Sequence, residues 1–316
     1  MKKFTAKQGV ISAISGLAAG AAAGVLPLLL MIFPGLFGCI GTAWGYGALG
    51  IASAAACGVI FANVPTLGMA NCAGYAAMLL SQSFIITCIF RKKGAYRSAV
   101  TYCAFAAGLS QYAASCLMPL IELGDPFAYY IEYAAFFADA AVESAAQMGL
   151  EQAAMEQVEF FAAFLERSAP DIAVLSIVGT SMLAGLLNVL IAKGLCKKFK
   201  ADIKPMAPFT KWQLSRSFYK GALILVVGAF IVSFSSINNA SAILLALTMI
   251  VACPYMLMGL CFLVFSIKTR RRGKGFLILC TILLIALFPY SLYGLCIMGL
   301  ADKLLGIRFG ADRTKC

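Results

Sequence analysis

Apolar runs of about 17 to 25 residues, each bounded by bunched charges, recur along this chain. A helix of that length rises ~1.5 Å per residue and so crosses the ~30 Å hydrocarbon core of a bilayer while pairing its backbone polar groups internally. Composition agrees, with 62% of the 316 residues hydrophobic, 12% charged and a mean hydropathy of +0.92. A soluble domain carries roughly 25% charged residues, and this chain lacks the polar surface that water demands. The expected fold is all-α, a polytopic transmembrane helical bundle of about eight to ten spans, with residues 1–316 forming a single membrane domain.

The net charge of +12 is unevenly spread. Residues 122–171 hold ten acidic side chains and one basic one, Arg167, whereas the rest of the chain holds 24 basic and three acidic. The basic groups cluster between apolar runs: Lys2, Lys3 and Lys7, then Arg91 to Arg97, Lys193 to Lys220 and Lys268 to Lys274. Short loops rich in Lys and Arg stay cytoplasmic, so the positive charge reports topology, and nucleic acid is not an expected partner. The pattern places the N-terminus inside and 122–171 outside the membrane. Lys2 and Lys3 before an Ala-rich apolar run have the outline of a signal peptide, but the apolar pattern continues directly and an uncleaved first helix is expected.

Parity between the basic N-terminus and Arg91 requires an even number of crossings, which four short helices at about 8–24, 25–41, 43–62 and 69–90 supply. Pro27 and Pro34 would then lie in a kinked or re-entrant second segment. Further helices are expected at about 98–121, 172–193, 221–236, 242–266 and 275–300, with a short outer turn at 235–239; the last crosses once and leaves the tail outside, or bends at Phe288-Pro289-Tyr290 and returns Lys303, Arg308, Arg313 and Lys315 inside. The acidic stretch is rich in helix formers, with Gly149 a natural break. It reads as an amphipathic helix pair, an extracytoplasmic insertion, with Glu143, Glu151, Glu159 and Glu166 on one face and Phe136, Phe137, Phe160, Phe161 and Phe164 supplying apolar surface.

There is no histidine, so the commonest general base and metal ligand is missing. The 12 cysteines form no CxxC pair and mostly sit in apolar runs, as small hydrophobes do. No acidic residue lies at the centre of a span, where ion-coupled carriers usually place one. The expectation is a non-enzymatic protein with no cofactor and no metal site.

Two features point to binding. Gly16, Gly20 and Gly24 recur every fourth residue among alanines, a groove for close helix approach. It serves either packing within the chain or docking on a separate membrane subunit. The amides Gln111 and Asn188 fall in the spans that flank the acidic stretch and are candidates to line an outward-opening ligand pocket; interhelical hydrogen bonding is the plainer use of such groups.

Towards the C-terminus, Gly299-Leu-Ala-Asp302 leading to Arg308, and upstream Pro208-Phe209-Thr-Lys-Trp212-Gln-Leu214, resemble motifs of the YybS-like family of bacterial polytopic membrane proteins. Leu304, Gly306 and Ser215 depart from that pattern. The resemblance implies structural roles for Pro208, Phe209, Trp212, Gly299, Asp302 and Arg308, and a distant similarity to the substrate-binding S components of energy-coupling-factor transporters. Those are helical bundles that capture a small solute and dock on a membrane subunit driven by an ATPase. Trp212, between Lys211 and Arg216, suits an interfacial anchor. Asp302 and Arg308, six apart, do not stack on one helix face, so Asp302 is expected to pair elsewhere, for instance with the Lys268–Lys274 turn. The leading expectation is a solute-binding or transport-associated subunit in the lipid bilayer; the alternative is a non-transporting membrane scaffold or envelope-organising interaction protein. A cavity of a few hundred Å³ reached by Gln111 or Asn188 separates the two.

Overall fold

The structure, a computed structural model, describes residues 5–25, 32–149, 151–205, 208–214, 216–234, 240–269 and 290–306, together with 279, 280, 282, 286 and 308. The expected turn at 235–239, the Phe288-Pro289 bend, Pro27, the cations from Arg270 to Lys274 and the terminal Arg313 and Lys315 lie outside the described residues.

All regular structure among the described residues is helical. The helices are α1 (Ala6–Val25), α2 (Phe33–Trp44), α3 (Tyr46–Ala62), α4 (Val64–Leu67), α5 (Met69–Arg91), α6 (Tyr96–Tyr112), α7 (Met118–Leu123), α8 (Ala128–Gln147), α9 (Gln152–Arg167), α10 (Ala169–Lys198), α11 (Arg216–Ser233), α12 (Ala240–Thr269) and α13 (Tyr290–Leu305). This is an all-α membrane helical bundle with an amphipathic insertion. By length and hydropathy, four described segments can cross a membrane: Met69–Arg91, Tyr96–Leu123, Ala169–Lys198 and Ala240–Thr269. Tyr46–Ala62 and Phe218–Ser233 are apolar but shorter. The second expected span shrinks to α2, whose 12 residues reach only about 18 Å. Pro34 does not kink it; it sits in the first turn, where its missing N–H has no helical partner to lose.

Contacts group the chain into two compact units, 1–204 and 205–316. In the first, α1 lies along α3, α2 is held between α5 and α10, and α6 packs on both α5 and α10. Glycine makes these approaches possible. A Cβ at Gly35 would fall 2.6 Å from the Asn188 carbonyl oxygen, one at Gly38 2.5 Å from Ile86 Cγ2, and one at Gly41 2.3 Å from Thr87 Oγ1. The α2 glycines therefore face α10 and α5 at distances only hydrogen permits, and their three-residue spacing is a small-residue stripe.

The span that begins with α6 continues past Pro119 to Leu123. Proline has no N–H for the carbonyl four residues back, and the chain widens into a π-turn over Ala113–Leu117 before α7 carries Pro119 in its first turn. The insertion forms the expected helix pair, α8 and α9, separated at Gly149, whose φ of +65° suits a residue without a Cβ. That break puts Glu143 on α8 and Glu159 and Glu166 on α9, so the acids do not form the single helical face expected; all are exposed. Alanines Ala134, Ala138, Ala145 and Ala162 take the buried positions, and the five phenylalanines point outward.

In the second unit α12 packs on α13 and α11. A Cβ on Gly259 would lie 1.9 Å from the Leu295 carbonyl oxygen and one on Gly299 2.0 Å from that of Tyr255, so backbone crosses backbone there.

Candidate functional site

Three helices converge at the end of the first unit that bears the acidic insertion. Met69 starts α5 there, Tyr112 ends α6 and Ala169 starts α10. Between them lies a cavity of about 270 Å³. Asn71, Gly74, Tyr75 and Met78 line it from α5, Gln111 from α6, Ala114 and Ser115 from the π-turn, Tyr130 from α8, and Ser176, Ile177 and Thr180 from α10. At ~30 Å³ per water, this space suits a molecule the size of about nine waters. Its lining carries two amides, three aliphatic hydroxyls, two phenols and a thioether, and no charged side chain. Such a lining offers hydrogen-bond donors and acceptors beside aromatic and aliphatic surface, without formal charge.

The π-turn shapes the wall. A wider turn displaces the side chains that follow it, which is why such bulges recur at binding sites. Here it brings Ala114 and Ser115 to the cavity, and Gly74 lets it close in, since a Cβ there would meet Ala114 Cβ at 2.3 Å. Gln111 Oε1 lies 2.9 Å from Thr180 Oγ1 and 3.1 Å from Ser181 Oγ. Each hydroxyl also touches a helix carbonyl, of Ser176 or Ile177, and has one proton to give. Where those protons go to Gln111, its Oε1 is tied to α10, and the same side chain lines the cavity. Next to the roof, the Tyr129 hydroxyl donates to Glu122 Oε2 at 2.8 Å, and that bond holds the phenol above its ordinary pKa.

Asn188 lies elsewhere. It is fully buried; its Oδ1 accepts the Gly35 N–H at 2.8 Å and its Nδ2 donates to Gln82 Oε1 at 2.9 Å. Gly35 is in the first turn of α2, where its N–H otherwise reaches only the Ile32 carbonyl, at 3.2 Å. Asn188 thus caps α2 from a neighbouring helix. Of the two candidate pocket amides, Gln111 reaches a cavity, and Asn188 is an interhelical bond.

The Gly16 and Gly20 face is filled from within. A Cβ on Gly16 would meet the Ala52 carbonyl oxygen at 2.2 Å, and one on Gly20 would meet Val59 Cβ at 2.5 Å, both on α3. The surroundings of Gly24 lie outside what is described. Another stripe of α1, with Val10, Ile14 and Leu17, stays exposed.

The C-terminal motif residues meet in the second unit. Asp302 pairs with Arg308, Arg308 Nε donating to Asp302 Oδ2 at 2.7 Å with both side chains at most 3% exposed, while Arg270 to Lys274 of the Lys268–Lys274 turn lie outside the described residues. Gly306, at φ +61°, ends α13 in the left-handed conformation and turns the chain back, so a spacing of six closes. Arg308 Nη1 donates to the Thr210 carbonyl at 2.9 Å, where a 3₁₀ turn over Phe209–Lys211 follows Pro208 and presents that oxygen. Phe209 and Trp212 stack edge to face at 5.2 Å. The Pro-Phe and Gly-Asp-Arg motifs therefore form one clasp, with Gly299 seating α13 on α12.

Sequence reasoning missed Tyr75, Ser115, Tyr130, Ser176 and Thr180 as cavity residues. Hydroxyls are ordinary in spans, and only the helix rotation brings these together.

No curated protein and no solved structure matches the chain. A family model matches residues 10–303, nearly the whole chain, and on that ground the protein belongs to the family described as Predicted membrane protein (DUF2232).

Proposed function

We propose that this membrane protein is a solute-binding, transport-associated subunit, resembling the S components of energy-coupling-factor transporters within a YybS-like family. The observation that carries the reading is the uncharged cavity beneath Tyr130, with Gln111 held at one end of its amide. The ligand is a small uncharged molecule with hydrogen-bonding groups and an aromatic or otherwise flat portion. The acidic insertion faces the outside of a bacterial cytoplasmic membrane, the N-terminus and the Arg91–Arg97 loop face the cytoplasm, and solute enters from the acidic side. No residue of the cavity forms a nucleophile–base pair, and the role is binding rather than catalysis. Energy comes from a partner, and the exposed Val10, Ile14 and Leu17 stripe of α1 is the face offered to it.

A second reading, a non-transporting scaffold, draws on the exposed Phe136, Phe137, Phe160, Phe161 and Phe164 of α8 and α9. Affinity purification in mild detergent followed by mass spectrometry tests the pair. The transport reading expects an ATPase and a second membrane subunit to co-purify. Repeated recovery of envelope proteins without either would overturn it in favour of the scaffold.

A further inference from the structure

A second, larger recess lies between α3 and α5. It has a volume of about 570 Å³ and is lined by Tyr46, Leu49, Gly50 and Ser53 of α3 and by Ala77, Leu80, Ser81 and Phe84 of α5. Tyr46, Leu80 and Phe84 remain 43–56% exposed, and a Cβ on Gly50 would meet nothing within 4 Å, so the recess is an open groove. In a bilayer an open apolar groove is filled by hydrocarbon. From Tyr46 to Ser53 it runs about 10 Å along the helix, most of the ~15 Å depth of one leaflet.

Its mouth carries charge. The Arg91 guanidinium lies 5.1 Å from the centroid of the Tyr46 ring, which also stacks against Phe84 at 6.0 Å. Arg91 Nη1 donates to the Gly41 carbonyl at 3.3 Å, and among the described residues no carboxylate is paired with it. A guanidinium has five N–H donors, so most are unused here. Arg91 ends α5 in a basic cluster with Lys92 and Lys93. Lys93 is engaged by Asp202, and Lys92 is exposed.

From this we infer that the α3–α5 groove holds one anionic phospholipid, its phosphate on the free donors of Arg91 and an acyl chain along Leu49, Gly50 and Phe84. The two halves of such a lipid match the two halves of the site in chemistry and in order along the helices. A fork of donors suits a phosphate, and Tyr46 sits between head and tail as interfacial aromatics do. The site is distinct from the Gln111 cavity, with which it shares no lining residue.

The full-length protein, reconstituted in nanodiscs of mixed phosphatidylcholine and phosphatidylglycerol and then examined by native mass spectrometry, tests this. Wild type should retain one phosphatidylglycerol in preference to phosphatidylcholine, and Arg91→Gln should lower that preference about fivefold. Gly50→Leu, which fills open space and leaves the fold intact, should displace the lipid while Arg91 remains; Arg97→Gln should behave as wild type. Equal retention of the two lipids by wild type, or a preference unchanged by either Arg91→Gln or Gly50→Leu, would overturn the proposal.

Discussion

Two amides in apolar helices of the same unit end in opposite situations. Asn188 is saturated and sealed, bonded to Gly35 and to Gln82 with no exposed surface. Gln111 is anchored on one side and open to a cavity on the other. Their neighbours make the difference. Asn188 faces a glycine stripe that draws α2 within van der Waals contact, so no space remains. Gln111 precedes a π-turn that carries Ala114 and Ser115 to the wall of a cavity. Asn188 is a joint between helices, whereas Gln111 borders open space.

The sealed and open cases predict different responses. The largest effect is expected at the other sealed polar site, the clasp of the second unit. Arg308→Ala leaves Asp302 buried without a partner and should cost about 3–5 kcal/mol, read as loss of folded protein in detergent thermal melts. Asn188→Leu strips the cap from Gly35 and the partner from Gln82, whose Nε2 is already buried and unpaired. About 2–4 kcal/mol of destabilisation should follow, measured the same way. Gln111→Leu should change stability by less than about 1 kcal/mol, since an open site has little packing to lose, yet weaken retention of the bound molecule about tenfold, ~1.4 kcal/mol. A melt as depressed as that of Asn188→Leu would erase the distinction. Phe160→Ser, on the exposed face of α9, should shift the melt least, within about 0.5 kcal/mol.

The long spans were legible because charge interrupts them at both ends. Spans expected at about 98–121, 172–193 and 242–266 appear as Tyr96–Leu123, Ala169–Lys198 and Ala240–Thr269. The region before residue 69 was harder. Glycine and proline recur there too often for hydropathy to separate a short buried helix such as α2 from a spanning one. The cavity was half legible. A buried amide signals an interhelical contact or a site, but α10 is apolar around most of its circumference, so sequence does not reveal which side faces α6. The pairing of Asp302 with Arg308 escaped for a different reason. Helical spacing forbids it, and it depends on Gly306 reversing the chain.

The central claim is that the Gln111 cavity is a solute site while the Asn188 cluster is structure. Its most direct test is to denature the detergent-purified full-length protein and quantify the released small molecules by mass spectrometry. Wild type should release one uncharged species in near-stoichiometric amount, reduced about tenfold in Gln111→Leu and unchanged in Phe160→Ser. No such species from wild type, or the same amount from Gln111→Leu, would contradict the account.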